Sequence, residues 1–132
     1  MMLDHIAIAF KDVERARAWY EEVLGFRVAA RKAPARPDAP EAAYLLELPG
    51  RALALELMPD DRGRAPGRKP FTTGISHIAL AVESLAEWEA RLDAGKVKWL
   101  GPAGEALGGG RVRSFLDPEG NMLQIIERTK ST

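Results

Sequence analysis

The 132-residue sequence has no cysteine, which excludes disulfides, thiolate metal sites and thiol nucleophiles. Histidine is almost missing too, with only His5 and His77. An excess of one charge is also absent. Lys+Arg and Asp+Glu each number 19, so no global charge points to nucleic acid or an acidic surface as partner. The apolar runs fall far short of the ~20 residues that span a bilayer. The opening Met-Met-Leu shows no basic segment followed by a long apolar one. A cytoplasmic protein with neither nucleic acid nor membrane as partner is expected. With 46% hydrophobic residues the chain can bury a core as one domain, or as one domain built from two small repeats.

The two histidines favour the repeat. Asp4-His5-Ile6-Ala7-Ile8-Ala9-Phe10-Lys11 returns as Ser76-His77-Ile78-Ala79-Leu80-Ala81-Val82-Glu83. Leu3 to Phe10 reads as a short buried strand. Asp12 then caps a helix striped by Val13, Ala16, Trp19, Tyr20, Val23 and Leu24 and ended by Gly25. A second strand is expected over Phe26–Ala30. Pro34, Pro37 and Pro40 make residues 31–43 a long mobile loop, either a solvated linker or a lid or dimer arm. Ala43–Leu48 and Ala52–Met58 form a hairpin around Pro49-Gly50.

Residues 59–74 are polar, basic and rich in Pro and Gly, and join the modules. Arg62, Arg64, Arg68 and Lys69 lie there, able to grip an anionic group or simply to be solvated. The order then recurs. Ile75–Val82 is a strand, Ser84 with Glu87 forms a capping box, Leu85, Trp88 and Leu92 stripe a helix, and Gly95 closes it. Strands follow at Val97–Leu100, Val112–Leu116 and Met122–Glu127, with a glycine-ended loop at 101–110 and a tight turn at Asp117-Pro118-Glu119-Gly120. Each half is β-α-β-β-β. Two such modules, 1–58 and 75–128, joined by 59–74 and followed by a tail at 129–132, predict an α+β fold. Their sheets would cup around a cavity.

Alternation along a strand puts every second side chain on one face. His5 shares a face with Ala7 and Ala9, and His77 with Ala79 and Ala81. Small alanines beside a histidine suit a cavity wall. Glu56 is in phase with Ala52 and Ala54, and Gln124 holds the matching place in the last strand. Two imidazoles, one carboxylate and one amide oxygen form a credible donor set for a divalent metal. Each residue also has an ordinary structural reading, as a hydrogen-bonded strand histidine, an arginine-paired glutamate or a strand-end amide. Arg111 and Arg113, after the glycine run, are candidates to anchor an anionic substrate or to line a solvated strand edge. Trp19, Trp88 and Trp99 have the spacing of core residues, with stacking on a ligand as the alternative.

The motifs Leu3-Asp4-His5-Ile6-Ala7-Ile8, Trp19-Tyr20-Glu21-Glu22-Val23-Leu24-Gly25-Phe26, Ser76-His77-Ile78-Ala79-Leu80 and Asp117-Pro118-Glu119-Gly120-Asn121 resemble the vicinal oxygen chelate superfamily. That superfamily includes glyoxalase I, methylmalonyl-CoA epimerase, extradiol dioxygenases, fosfomycin-resistance enzymes and bleomycin-binding proteins. The resemblance covers residues 2–128. It implies paired βαβββ modules, a homodimer and a small-molecule substrate. It also implies a metal held by His5, Glu56, His77 and Gln124, with Glu56 as base. Gln124 departs from glyoxalase I, which has glutamate there; Glu127 falls on the opposite face of the strand and does not replace it.

A metal-dependent, glyoxalase I-like lyase or isomerase using Ni, Co or Zn is therefore expected, with any thiol cosubstrate unspecified. Two alternatives remain: an extradiol-type dioxygenase with Fe or Mn at His5, His77 and Glu56, and a metal-free binding protein of the bleomycin-resistance kind.

Overall fold

A computed structural model describes residues 1–62, 71 and 73–129. The chain divides into two compact units, Met1–Pro66 and Gly67–Thr132. Arg64, Arg68 and Lys69 of the basic stretch lie outside the described residues.

The first unit runs β1 (Ile6–Phe10), α1 (Val13–Leu24), β2 (Arg27–Lys32), β3 (Ala43–Glu47) and β4 (Ala54–Pro59). Its sheet has the order β1-β4-β3-β2, with β1 and β4 parallel and the other pairs antiparallel. Helix α1 forms where the sequence places it. Asp12 accepts a hydrogen bond from the Arg15 amide at 3.0 Å, and Gly25 takes the left-handed conformation at φ 81°. Val13, Ala16, Tyr20 and Leu24 are buried against Phe10, Phe26, Leu46, Leu55 and Leu57. Tyr20 meets Phe10 and Phe26 edge-on, with ring centroids 6.1 and 5.7 Å apart.

The second unit runs β5 (His77–Ala81), α2 (Leu85–Ala94), β6 (Lys98–Trp99), β7 (Gly104–Glu105), β8 (Arg111–Leu116) and β9 (Met122–Glu127). Its sheet order is β5-β9-β8-β6, with β5 and β9 parallel and β7 pairing with β8. Ser84 caps α2 by accepting from the Glu87 amide at 3.2 Å, and Glu127 accepts from the Leu85 amide at 3.0 Å. Asp117 is almost fully buried and accepts from the amides of Glu119 and Asn121, both at 2.9 Å, which locks the tight turn before β9.

The two sheets of four and five strands with two helices make an α+β fold. Four local expectations change. The first strand is buried on one side only, because Ala7 and Ala9 stay exposed while Phe10 packs under α1. β2 continues to Lys32, two residues into the stretch read as loop. The Pro49-Gly50 turn is a single 3-10 turn, Pro49–Arg51. A two-residue strand, β7, interrupts the 101–110 loop. Among the described residues, no helix is long and apolar enough to cross a membrane.

Candidate functional site

Helix α1 covers one face of the first sheet and leaves the other open. Leu55 and Leu57 are buried, whereas Glu56 and Met58 between and after them are only half-buried. Glu56 lies level with Ala7 on β1 and Leu45 on β3, and Leu45 lies level with Ala30 on β2. Residues level in neighbouring strands share a face, so Ala30, Leu45, Glu56 and Ala7 form one row on the open side. His5, just before β1 and in phase with Ala7, stands beside that row. Its Nε2 is 4.0 Å from a Glu56 carboxylate oxygen, and the two side chains are 40% and 39% exposed. Both are reachable by solutes.

The His5 ring is oriented from behind. Its Nδ1 lies 2.8 Å from the Asp4 carboxylate, whose other oxygen accepts from Arg51 Nη2 at 3.2 Å. The hydrogen bond from His5, and after it the charge of Arg51, holds the Asp4 carboxyl below the usual carboxylate range. An ionised carboxylate only accepts, so Nδ1 carries a ring proton, and the neutral form of the ring is the tautomer with its lone pair on Nε2. Arg51 reaches back to Asp4 from a left-handed backbone position, φ 57°, next to Gly50 at φ 68°.

The second unit repeats this placement. Gln124 lies level with Ala79 on β5 and Ser114 on β8. His77 is exposed and in phase with Ala79 and Ala81. Its Nδ1 is 2.9 Å from the Ser76 hydroxyl, so the residue before each histidine holds the same ring nitrogen. Gln124 donates its amide N–H to the Ser114 hydroxyl at 3.1 Å, and its amide oxygen, an acceptor, has no hydrogen-bond partner among the described residues. His5 with Glu56 and His77 with Gln124 thus occupy equivalent strand positions in their own sheets. Among the described residues, no three His, Cys, Asp or Glu side chains cluster as a metal site.

Arg111 and Arg113 alternate with Ser114, on the face opposite Gln124. Arg113 bonds to Glu89 of α2 at 2.6 Å and to the Gly101 carbonyl at 2.9 Å, and stacks 3.9 Å above the Trp99 ring. Arg111 makes a long contact, 3.5 Å, to the Ala103 carbonyl. The structure therefore separates both arginines from the open face, and Arg113 is engaged in packing. Alternation alone carried this signal, since Arg113 and Ser114 are adjacent in one strand. Trp99 also donates to Asp93 at 2.7 Å, and Trp88 lies beneath the Arg91 guanidinium at 4.4 Å. Arg62 is paired with Glu41.

Sequence reasoning passed over a cleft. In the first unit a hollow of about 140 Å³ is lined by Lys32, Ala33, Ala35, Arg36, Ala39, Glu41, Ala43, Glu56, Met58 and Pro59. The family model described as the Glyoxalase/Bleomycin resistance protein/Dioxygenase superfamily matches residues 2–125. The chain belongs to that superfamily.

Solved members share its fold. A glyoxalase family protein from Enterococcus faecalis is 27% identical, with TM-score 0.79, covering 96% of this chain and 97% of its own. An antibiotic binding protein, TnmS3, from Streptomyces sp. CB03234 is 21% identical, with TM-score 0.72 and 98% of each chain covered. A mutant of the fosfomycin resistance protein FosX from Listeria monocytogenes, complexed with Mn(II) and 1S,2S-dihydroxypropylphosphonic acid, is 19% identical, with TM-score 0.71, covering 97% of this chain and 90% of its own. Among curated proteins, none matches the sequence.

The superfamily raises the question of a metal, and the donor chemistry here fits one. Both imidazoles have Nδ1 engaged behind the ring, the arrangement that orients metal-binding histidines. Two ligands on one metal with bonds of ~2.1 Å stand ~3–3.5 Å apart. The 4.0 Å between His5 and Glu56 therefore closes with a small side-chain rotation.

Proposed function

We propose that the chain is a metal-dependent lyase or isomerase with chemistry similar to glyoxalase I, in which His5, Glu56, His77 and Gln124 hold one divalent ion, Ni, Co or Zn. The observation that carries this reading is the matched pair of histidines. Each has its Nδ1 held by the preceding residue, and each stands two residues before the position level with Glu56 or Gln124.

When bound, the ion would stabilise negative charge on neighbouring substrate oxygens as a Lewis acid. Glu56 is the proton carrier. Its carboxylate takes a proton from the hydroxyl-bearing carbon beside the substrate carbonyl, and the C–H electron pair forms the carbon–carbon double bond of an enediolate. Glu56 returns the proton to the former carbonyl carbon while the hydroxyl proton passes to the former carbonyl oxygen, so that the hydroxyl-bearing carbon becomes the new carbonyl. Gln124 offers a neutral oxygen and cannot take that proton. The donor set consequently carries one negative charge, so a divalent ion there keeps a net positive charge and draws an anionic substrate. The FosX mutant complexed with Mn(II) and a phosphonic acid is a precedent on this fold. A second reading, a binding protein that sequesters a small molecule without metal, is favoured by the apolar cleft and by the resemblance to an antibiotic binding protein.

Elemental analysis after chelation and reloading tests the choice. About one Ni, Co or Zn per chain is expected, together with isomerisation of the thiohemiacetal of a 2-oxoaldehyde and a thiol. Glu56→Gln should keep most of the metal and lose at least about 100-fold in turnover. Unchanged turnover would remove Glu56 from the chemistry. Selective loading with Fe or Mn would shift the reading to a dioxygenase, and persistent absence of metal to the binding protein.

A further inference from the structure

The cleft beside Glu56 has one apolar side made by the sheet, Ala43, Met58 and Pro59, and another made by the segment after β2, Ala33, Ala35 and Ala39. That segment is pinned by Arg36, whose guanidinium donates to the carbonyls of Pro59, at 3.2 Å, and Asp60. Ala39 is buried, and its amide donates to the Arg36 carbonyl at 3.2 Å. Three charged groups besides Glu56 line the hollow. Arg36 is committed to those carbonyls and Glu41 to Arg62, but Lys32 makes no hydrogen bond or ion pair among the described residues. Lys32 is level with Ala43 in the β2–β3 ladder, on the same open face as Glu56. It stands two strands across and one row along from Glu56, a separation on the order of 10 Å between backbones.

We propose that this cleft is the substrate pocket of the first unit, and that Lys32 makes it select small molecules with a compact apolar body and an anionic end. A cavity on the order of 150 Å³ accepts a benzene-sized body, close to the volume here. The alanines provide walls without polar demands. The ammonium of Lys32, unpaired among the described residues, gives an anion its counter-charge at the far end, while the opposite end of the molecule lies toward Glu56. The proposal rests on the reading that chemistry occurs on the Glu56 face, and it specifies the substrate class for that face.

Three probes on the chelator-treated full-length chain separate body from charge: benzoate, benzyl alcohol and acetate. Titrations followed by amide chemical shifts should show benzoate binding tightest, with the largest shifts at Lys32, Ala43 and Met58. Added salt should weaken benzoate and leave benzyl alcohol unchanged. Lys32→Ala should weaken benzoate about threefold to tenfold without affecting benzyl alcohol, and Lys32→Arg should restore it. Ala43→Leu, which fills the hollow, should weaken both aromatic probes. Equal binding of benzoate and benzyl alcohol, no effect of Lys32→Ala, or shifts away from the cleft would each overturn the proposal. Metal is absent from these titrations, so their failure would leave the metal-content test untouched, and the reverse also holds.

Discussion

Asp4 is not among the proposed metal donors, yet it orients the ring of His5. Accepting from Nδ1 and backed by Arg51, it fixes the tautomer of the neutral ring, leaving Nε2, 4.0 Å from Glu56, as the nitrogen free to bind a metal. Ser76 occupies the corresponding place before His77 but offers a hydroxyl, which can donate or accept and so fixes no tautomer. The two histidines are therefore unequal despite their equivalent positions. Losing such an outer partner typically costs 10–100-fold in metal affinity. Asp4→Ala should weaken metal binding by about that factor, and Ser76→Ala by less, as read by competition with a chelating dye. Equal affinity in Asp4→Ala and the parent would leave His5 without a supporting role for Asp4.

At the scale of elements, one contact ties α1 to β3. The Tyr44 hydroxyl, on the buried side of β3, donates to the Glu14 carboxylate, which Arg17 also approaches at 3.1 Å. The hydrogen bond from Tyr44, opposed by desolvation and aided by Arg17, holds the Glu14 carboxyl below the usual carboxylate range. A carboxyl depressed in the folded state contributes stability above its unfolded pKa and loses it as pH falls through the folded one. Tyr44→Phe keeps the ring and removes the hydroxyl. It should cost about 1 kcal/mol near pH 7, at the lower end because Glu14 is half exposed. The gap to the parent should narrow as pH drops from about 5 to 3. Denaturant melts across that range check this, and a gap independent of pH would mean that Glu14 is not the acceptor that matters.

Elements also show what could be read in advance. Both helices and their caps were legible, since Asp12, Gly25 and Ser84 act through neighbours within a few residues. The open faces at His5, Glu56, His77 and Gln124 followed from alternation. Lys32 did not, because the prolines from Pro34 onward read as a loop that began too early, while β2 pairing with Ala43 extends the strand. β7 is two residues, one of them glycine, and exists only through its ladder with β8. The cleft depends on Arg36 finding carbonyls 23 and 24 residues away, a contact no local pattern announces.

At the scale of the whole molecule, the duplication divides the proposed donors evenly: His5 and Glu56 in the first unit, His77 and Gln124 in the second. Neither pair fills a metal's coordination on its own. One ion per chain, if it draws on all four, makes metal binding a property of both repeats together. At a free concentration about 100-fold above Kd, binding to the folded state adds ~2.7 kcal/mol, a rise in Tm on the order of 10 °C for a chain of this size. His5→Ala and His77→Ala then test the sharing. With one shared ion, either substitution should remove most of that rise, and the double variant should lose little more, because the second change acts on a site already broken. With two independent sites the losses would add, each single variant keeping about half. Calorimetric melts of the four proteins, with and without metal, separate these outcomes. Additive losses would sink the four-residue site and leave each repeat binding on its own.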